Sequence, residues 1–293
     1  LREHAKKQSC FILVGAYGAK IQQDADSTLS LARYNSAFLF HPDGQKDPKR
    51  YDKIHLVLFG EVLPFRKSCR LLYNLLMKFN PLGYDHSLDA GDEYTVFGMT
   101  RGQPEETKDY YFSVIICYEA TVPAVVRRFT LDNRGQKQID WLVNISNDGW
   151  FVRFKGDLAG PQADIEVSPS AELPQHAAVC VFRAVENRLA VLRSVNTGIS
   201  CLIDSLGRIR NGYIAASADL PATAMDRKGM AGWFVDKMPI DKRTTLFSKY
   251  GQWLDFCCAA CLLVLIIVSL SARFFKTDKR TAHLSGLTNE QHA

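Results

Sequence analysis

Apolar positions fall into short continuous runs divided by turn residues, with one much longer run near the C-terminus. "CFILVGAY" (10–17) is continuous and bounded by Gly18, the pattern of a buried strand. "YNSAFLF" (34–40) predicts a second strand, closed by the turn "HPDGQ", and the hairpin-like segment leads to "YDKIHLVLFGEVLPFR" (51–66). Further strands are predicted over 110–117 and over 139–145, the latter ending in the turn-like "SNDGW". Residues 122–131, with Arg127 and Arg128, predict a short helix, and 174–189 have helical periodicity. "LAVLRSV" and "GISCLIDSLG" read as a strand pair ending at Gly207. "LREHAKKQSC" reads as the end of an amphipathic helix, so the domain is expected to start upstream of it. Alternation of buried strands with helices implies a layered α/β fold without a fixed-period repeat.

The long run changes the picture. From Phe256 to Ala272 no charged residue occurs, and with Trp253 and Leu254 in front the stretch approaches the ~20 residues that span a bilayer. Trp253 stands where interfacial aromatics stand, and Arg273, Lys276, Lys279 and Arg280 follow directly. By the positive-inside rule the basic end is expected in the cytoplasm, although Lys242, Arg243 and Lys249 flank the other side. The organisation predicted is a catalytic unit over 1–250 on the outer face, a membrane span over 253–272 and a basic, disordered tail over 273–293. No secretory signal is visible at the start, so an export signal or earlier spans are expected upstream.

Composition narrows the function. Apolar residues make up 47% of the 293, enough for a sizeable core, and the net charge is +5. There is no Lys/Arg stripe interleaved with aromatics, so nucleic acid is not an expected partner. None of the eight cysteines forms a C-x-x-C pair backed by histidines, so no metal is expected. Cys258 and Cys261 have that spacing but lie in the apolar run, where packing or lipidation fits better.

The candidate chemistry centres on "SVIICYEATVP" (113–123). An apolar strand stops at Cys117, with Glu119 two residues on. A strand-end cysteine is more often structural. A nucleophile there needs a cation to favour the thiolate and a carboxylate to take the proton. Lys53 can supply the cation, turned inward from a segment dense in Phe-Gly-Glu and Pro corners. Glu61 and Glu119 are the candidate carboxylates, each able to act as a base, to orient the lysine, or to be merely structural. Residues 70–82, "RLLYNLLMKFNPL", carry large apolar side chains with Arg70 and Lys78 among them. They are expected to form a lipid-facing arm.

The order of "YDKIHLVLFGEVLPFR", "IICYEATVP", "LVNISNDGWF" and "PQHAAVCVFRAVENRLAVLRSVNTGIS" resembles the nitrilase superfamily, and more narrowly its apolipoprotein N-acyltransferase branch. The resemblance implies an α-β-β-α sandwich with a C-terminal transmembrane helix. It implies Cys117 as nucleophile, Lys53 as its cationic partner, and Glu61, Tyr118 and Glu119 near the site, with the Tyr118 N–H facing an oxyanion. It further implies ping-pong acyl transfer without a cofactor, at a bacterial inner membrane with the catalytic unit periplasmic. A membrane phospholipid gives the acyl group through a thioester, and a diacylglyceryl apolipoprotein accepts it. The family's general-base glutamate sits in a W-P-E motif ahead of the strand "CFILVGAY"; this chain has no W-P-E, so the base is expected upstream of Leu1. Leu58 and Val62 stand where the family often has Pro and Tyr. Two other functions fit parts of the pattern: an amidase of small C–N substrates, and a non-catalytic membrane-anchored remnant that binds lipid or lipoprotein.

Overall fold

The computed structural model describes residues 1–23, 29–66, 68–79, 84–103, 106–155, 166–212, 214–216 and 220–289. After helix α1 (Arg2–Gln8), strands β1 (Ile12–Gln23), β2 (Leu29–Phe40) and β3 (Lys46–Asp52) form an antiparallel three-stranded sheet in that order. Pro48 is tolerated because β3 is an edge strand, where its missing N–H breaks no ladder. Helix α2 (Arg70–Met77) precedes β4 (Phe97–Gln103) and β5 (Glu106–Ile116). Helix α3 (Pro123–Thr130), β6 (Trp141–Ser146), the small pair β7 (Val152–Lys155) and β8 (Glu166–Pro169), and helix α4 (Glu172–Asn187) follow. Strands β9 (Ala190–Val195), β10 (Cys201–Ile203) and β11 (Ile209–Arg210) complete a six-stranded sheet ordered β11-β10-β9-β6-β5-β4. A further small pair, β12 (Ile214–Ala216) and β13 (Trp233–Val235), leads to helix α5 (Leu246–Tyr250).

The centre of the larger sheet is parallel, β5 to β6 to β9, with α3 and α4 in the connections. Strand side chains alternate between faces, which divides the sheet cleanly. Ile145 faces the smaller sheet so closely that a Cβ on Gly15 would lie 2.9 Å from its terminal Cδ1, and that methyl would have to shift. One buried cluster takes in Ala37 and Leu39 of β2, Val114, Ile115 and Ile116 of β5, and Val126, Phe129, Ala177, Cys180 and Ala184 of the two helices. The face away from Ile145 holds a row set by register, Ile115, Asn144 and Arg193, against Cys180 of α4, with Cys117 two residues beyond Ile115. The result is the mixed α/β, two-sheet fold that the resemblance implies, and residues 1–249 make one compact unit.

Residues 250–293 form the second unit. Helix α6 runs from Trp253 to Asn289, and its first twenty residues, Trp253–Ala272, have a mean hydropathy of 2.5 and no burial, so they are long and apolar enough to cross a membrane. The tail 273–293, expected to be disordered, is instead helical as far as Asn289. Residues 273–289 contain no proline, and extending an existing helix costs far less than starting one.

Candidate active site

Lys53 follows β3 directly, its N–H bonded to the Asn35 carbonyl of β2 at 2.8 Å. The side chain is fully buried, and its Nζ donates to Glu61 Oε2 at 2.6 Å. Glu61 also accepts from Val57 N–H at 2.9 Å and from Asn35 Nδ2 at 2.9 Å. The turn between lysine and glutamate closes on itself: Glu61 N–H bonds Val57 O at 2.8 Å, and Phe59 takes a left-handed φ of 64°. The Phe-Gly-Glu corner therefore folds the glutamate back onto the lysine.

Cys117 follows β5 directly with a φ of 54°, in the left-handed region, and opens a 3-10 turn over Cys117–Thr121. For a residue with a Cβ this conformation costs ~1–2 kcal/mol, so its surroundings must enforce it. Glu119 does so from one side. Its buried carboxylate accepts the Ile116 N–H at 2.7 Å, the Tyr51 hydroxyl at 2.7 Å, and the N–H groups of Ile54 and His55 at 2.8 and 3.0 Å. Burial pushes the Glu119 carboxyl above its ordinary range, against the pull of these donors. Burial raises the Tyr51 phenol as well, reinforced by the neighbouring carboxylate. The Tyr118 ring is half exposed and stacks on His55, centroids 6.4 Å apart.

Four residues that carried no role in the sequence lie on the other side of Cys117. Asn144 Nδ2 and His176 Nε2 lie 3.5 and 3.4 Å from the Cys117 carbonyl oxygen. Asp148 bonds His176 Nδ1 at 3.0 Å and Arg193 Nη2 at 2.5 Å, and Arg193 also donates to Asn144. Burial alone would raise the Asp148 carboxyl, but the His176 hydrogen bond, the Arg193 charge and the Ser146 hydroxyl outweigh it and hold it below the ordinary range. One signal was available: Arg193 puts a charge inside the apolar strand "LAVLRSV", and a charge there demands a buried partner.

Glu61 is thus Lys53's direct partner. Glu119 reaches the site through backbone: it accepts from residues adjoining Lys53 and Cys117. Among the described residues no group of three His, Cys, Asp or Glu side chains could hold a metal ion.

A cysteine in a left-handed corner after a strand of the larger sheet is tied through Glu119 to the backbone beside a lysine–glutamate pair that follows the smaller sheet. The chain belongs to the carbon-nitrogen hydrolase family, whose sequence profile matches residues 1–233. Over 249 residues it is 30% identical to a Treponema denticola protein named apolipoprotein N-acyltransferase 2, covering 84% of this chain and 39% of that protein. A Treponema pallidum protein named apolipoprotein N-acyltransferase 1 is 30% identical over 273 residues, covering 91% of this chain and 41% of that one. The chain therefore spans about two fifths of the length of these curated relatives. Among solved structures, Nit3 of Saccharomyces cerevisiae, a nitrilase-superfamily member, aligns at a TM-score of 0.39 and 16% identity over 71% of this chain and 57% of that one.

Proposed function

We propose that this chain carries the acyl-transfer site of an apolipoprotein N-acyltransferase, with Cys117 as nucleophile. The observation that supports it most is Glu119, whose carboxylate holds the Ile116 N–H beside a strained, left-handed Cys117 and the Ile54 N–H beside a fully buried Lys53 that is bonded to Glu61.

The thiol of Cys117 loses its proton to a carboxylate base, which the family resemblance puts in a W-P-E segment ahead of β1. The thiolate sulfur then adds to the carbonyl carbon of a phospholipid acyl ester, and the C=O π pair moves onto oxygen. Lys53 Nζ and the Tyr118 N–H stabilise that oxyanion. Collapse breaks the ester C–O bond, the departing alkoxide takes up the proton, and an acyl thioester remains on Cys117. The α-amine of a diacylglyceryl N-terminal cysteine adds to the thioester. The C–N bond forms, the C–S bond breaks, and the amine's proton passes to the base.

Both substrates are held in the membrane by acyl chains, which suits the apolar stretch Trp253–Ala272. The reading puts residues 1–250 on the periplasmic face of a bacterial inner membrane, with the C-terminus cytoplasmic. Exposed apolar residues of α2 and its continuation, Leu71, Leu75 and Phe79, form a lipid-facing arm beside the Lys53–Glu61 loop; residues 80–82 of that expected arm lie outside the described residues. The test is transfer of a radiolabelled acyl group from phospholipid to a diacylglyceryl peptide by the full protein. Label on the peptide amine supports the reading; release of free fatty acid or of ammonia from small amides, with no labelled peptide, rejects it.

A further inference from the structure

The grip on the Cys117 carbonyl has a geometric consequence for the neighbouring N–H. A trans peptide is planar, with its C=O and N–H pointing in opposite directions. The Cys117 carbonyl points at His176 Nε2, 3.4 Å away, and at Asn144 Nδ2, 3.5 Å away, both in the buried network under the sheet. The N–H of the same peptide belongs to Tyr118, and it must point the other way.

His176 is itself fixed. Its Nδ1 faces Asp148 Oδ1 at 3.0 Å and Arg193 Nη2 at 3.1 Å. An imidazolium that donates Nδ1–H to the Asp148 carboxylate keeps its second N–H on Nε2, facing the Cys117 carbonyl. Asp148 and Arg193 are fully buried and His176 is 7% exposed, so water does not compete for these contacts.

We infer that His176, oriented by Asp148 and Arg193, is a positioning residue that fixes the Cys117–Tyr118 peptide and so aims the Tyr118 N–H at the oxyanion. The inference rests on the proposed use of Cys117 as acyl carrier. Its ligand chemistry is the oxyanion of any ester attacked by that thiolate.

Two reactions of the same sulfur separate this role from general support of the fold. Acylation by p-nitrophenyl octanoate passes through an oxyanion; alkylation by iodoacetamide forms a C–S bond as iodide leaves and makes none. Both rates are measured at Cys117 in the full protein, in detergent. His176→Phe should slow acylation about 100-fold, the scale of losing one oxyanion donor, while alkylation stays near the wild-type rate. His176→Gln, which keeps a donor at the Nε2 position, should recover most of the acylation. If His176→Phe does not fold, His176→Asn, too short to reach the carbonyl, takes its place with the same expectations. Equal loss of both reactions, no loss of either, failure of Gln to rescue, or a wild type that takes no acyl group from the ester would each overturn the inference. If acylation by the ester depends on His176 while phospholipid gives no transfer, the inference stands and the lipid-transfer reading falls.

Discussion

Oε1 of Glu119 accepts the backbone N–H of Ile54 at 2.8 Å, so a residue two beyond Cys117 is bonded to the residue just after Lys53. The same carboxylate holds Ile116 N–H through Oε2 at 2.7 Å. Lys53 and Cys117 come from different sheets, and this carboxylate ties the backbone beside one to the backbone beside the other. Its chemistry is scaffolding, and the loss it predicts is one of stability as well as rate.

Glu119→Ala would leave the Tyr51 hydroxyl and three backbone N–H groups without their acceptor. Each unsatisfied buried donor costs ~1–3 kcal/mol, so the loss should exceed about 4 kcal/mol in urea unfolding. A loss below about 1 kcal/mol would mean that water reaches these donors.

Asp148 should give a pH signature. Its folded pKa is depressed below the unfolded value of about 3.9, so its contribution is present above that value and is lost as pH falls through the folded pKa. Asp148→Asn breaks a buried pair with Arg193 and should cost ~3–5 kcal/mol at pH 7. The gap between wild type and variant, followed by urea unfolding, should narrow as the medium is acidified below pH ~4. A gap that is constant or grows in acid would contradict the assigned direction.

Leu71 and Leu75 lie one turn apart on α2, 84% and 50% exposed, and α2 has no buried residue. Leu71→Asp with Leu75→Asp should therefore leave stability within about 0.5 kcal/mol, as surface changes do. Binding of residues 1–249 of the full protein to vesicles, read as protection of position 79 from an aqueous quencher after Phe79→Trp, should fall. Early melting of the double variant, or unchanged protection, would remove α2 as a lipid-facing element.

Much of this was legible because local pattern and tertiary role coincide. "CFILVGAY" is a strand as expected but not a buried one: positions 10–14 are half-buried and Gly15, Ala16 and Tyr17 are exposed, because this apolar run packs against the larger sheet only in part. Cys117 was legible from its place at the end of an apolar strand, and Lys53 from the turn-rich segment that follows it. The role of Glu119 was only half legible, since a carboxylate two residues from a thiol suggests a base, whereas its oxygens accept from the Tyr51 hydroxyl and the Ile54 and His55 N–H groups, 64 to 68 residues earlier in the chain, and from Ile116 N–H. The His176–Asp148–Arg193 network was not legible. Its members lie on a helix, a turn and a strand, and only the parallel register that sets Asn144 beside Arg193 brings them under Cys117. The antiparallel strand β4 was missed because "FGMTRGQ" carries two glycines and an arginine in place of an apolar run.

The central claim is that Cys117 carries the acyl group. The direct measurement is the acyl adduct formed when the full protein is incubated with labelled phospholipid and quenched in acid, then treated with neutral hydroxylamine, which cleaves thioesters. In the wild type the label should sit on the peptide containing Cys117 and be released by hydroxylamine, and Cys117→Ser should carry no hydroxylamine-labile label. A labile adduct that persists in Cys117→Ser, or one that maps to another cysteine, would contradict it.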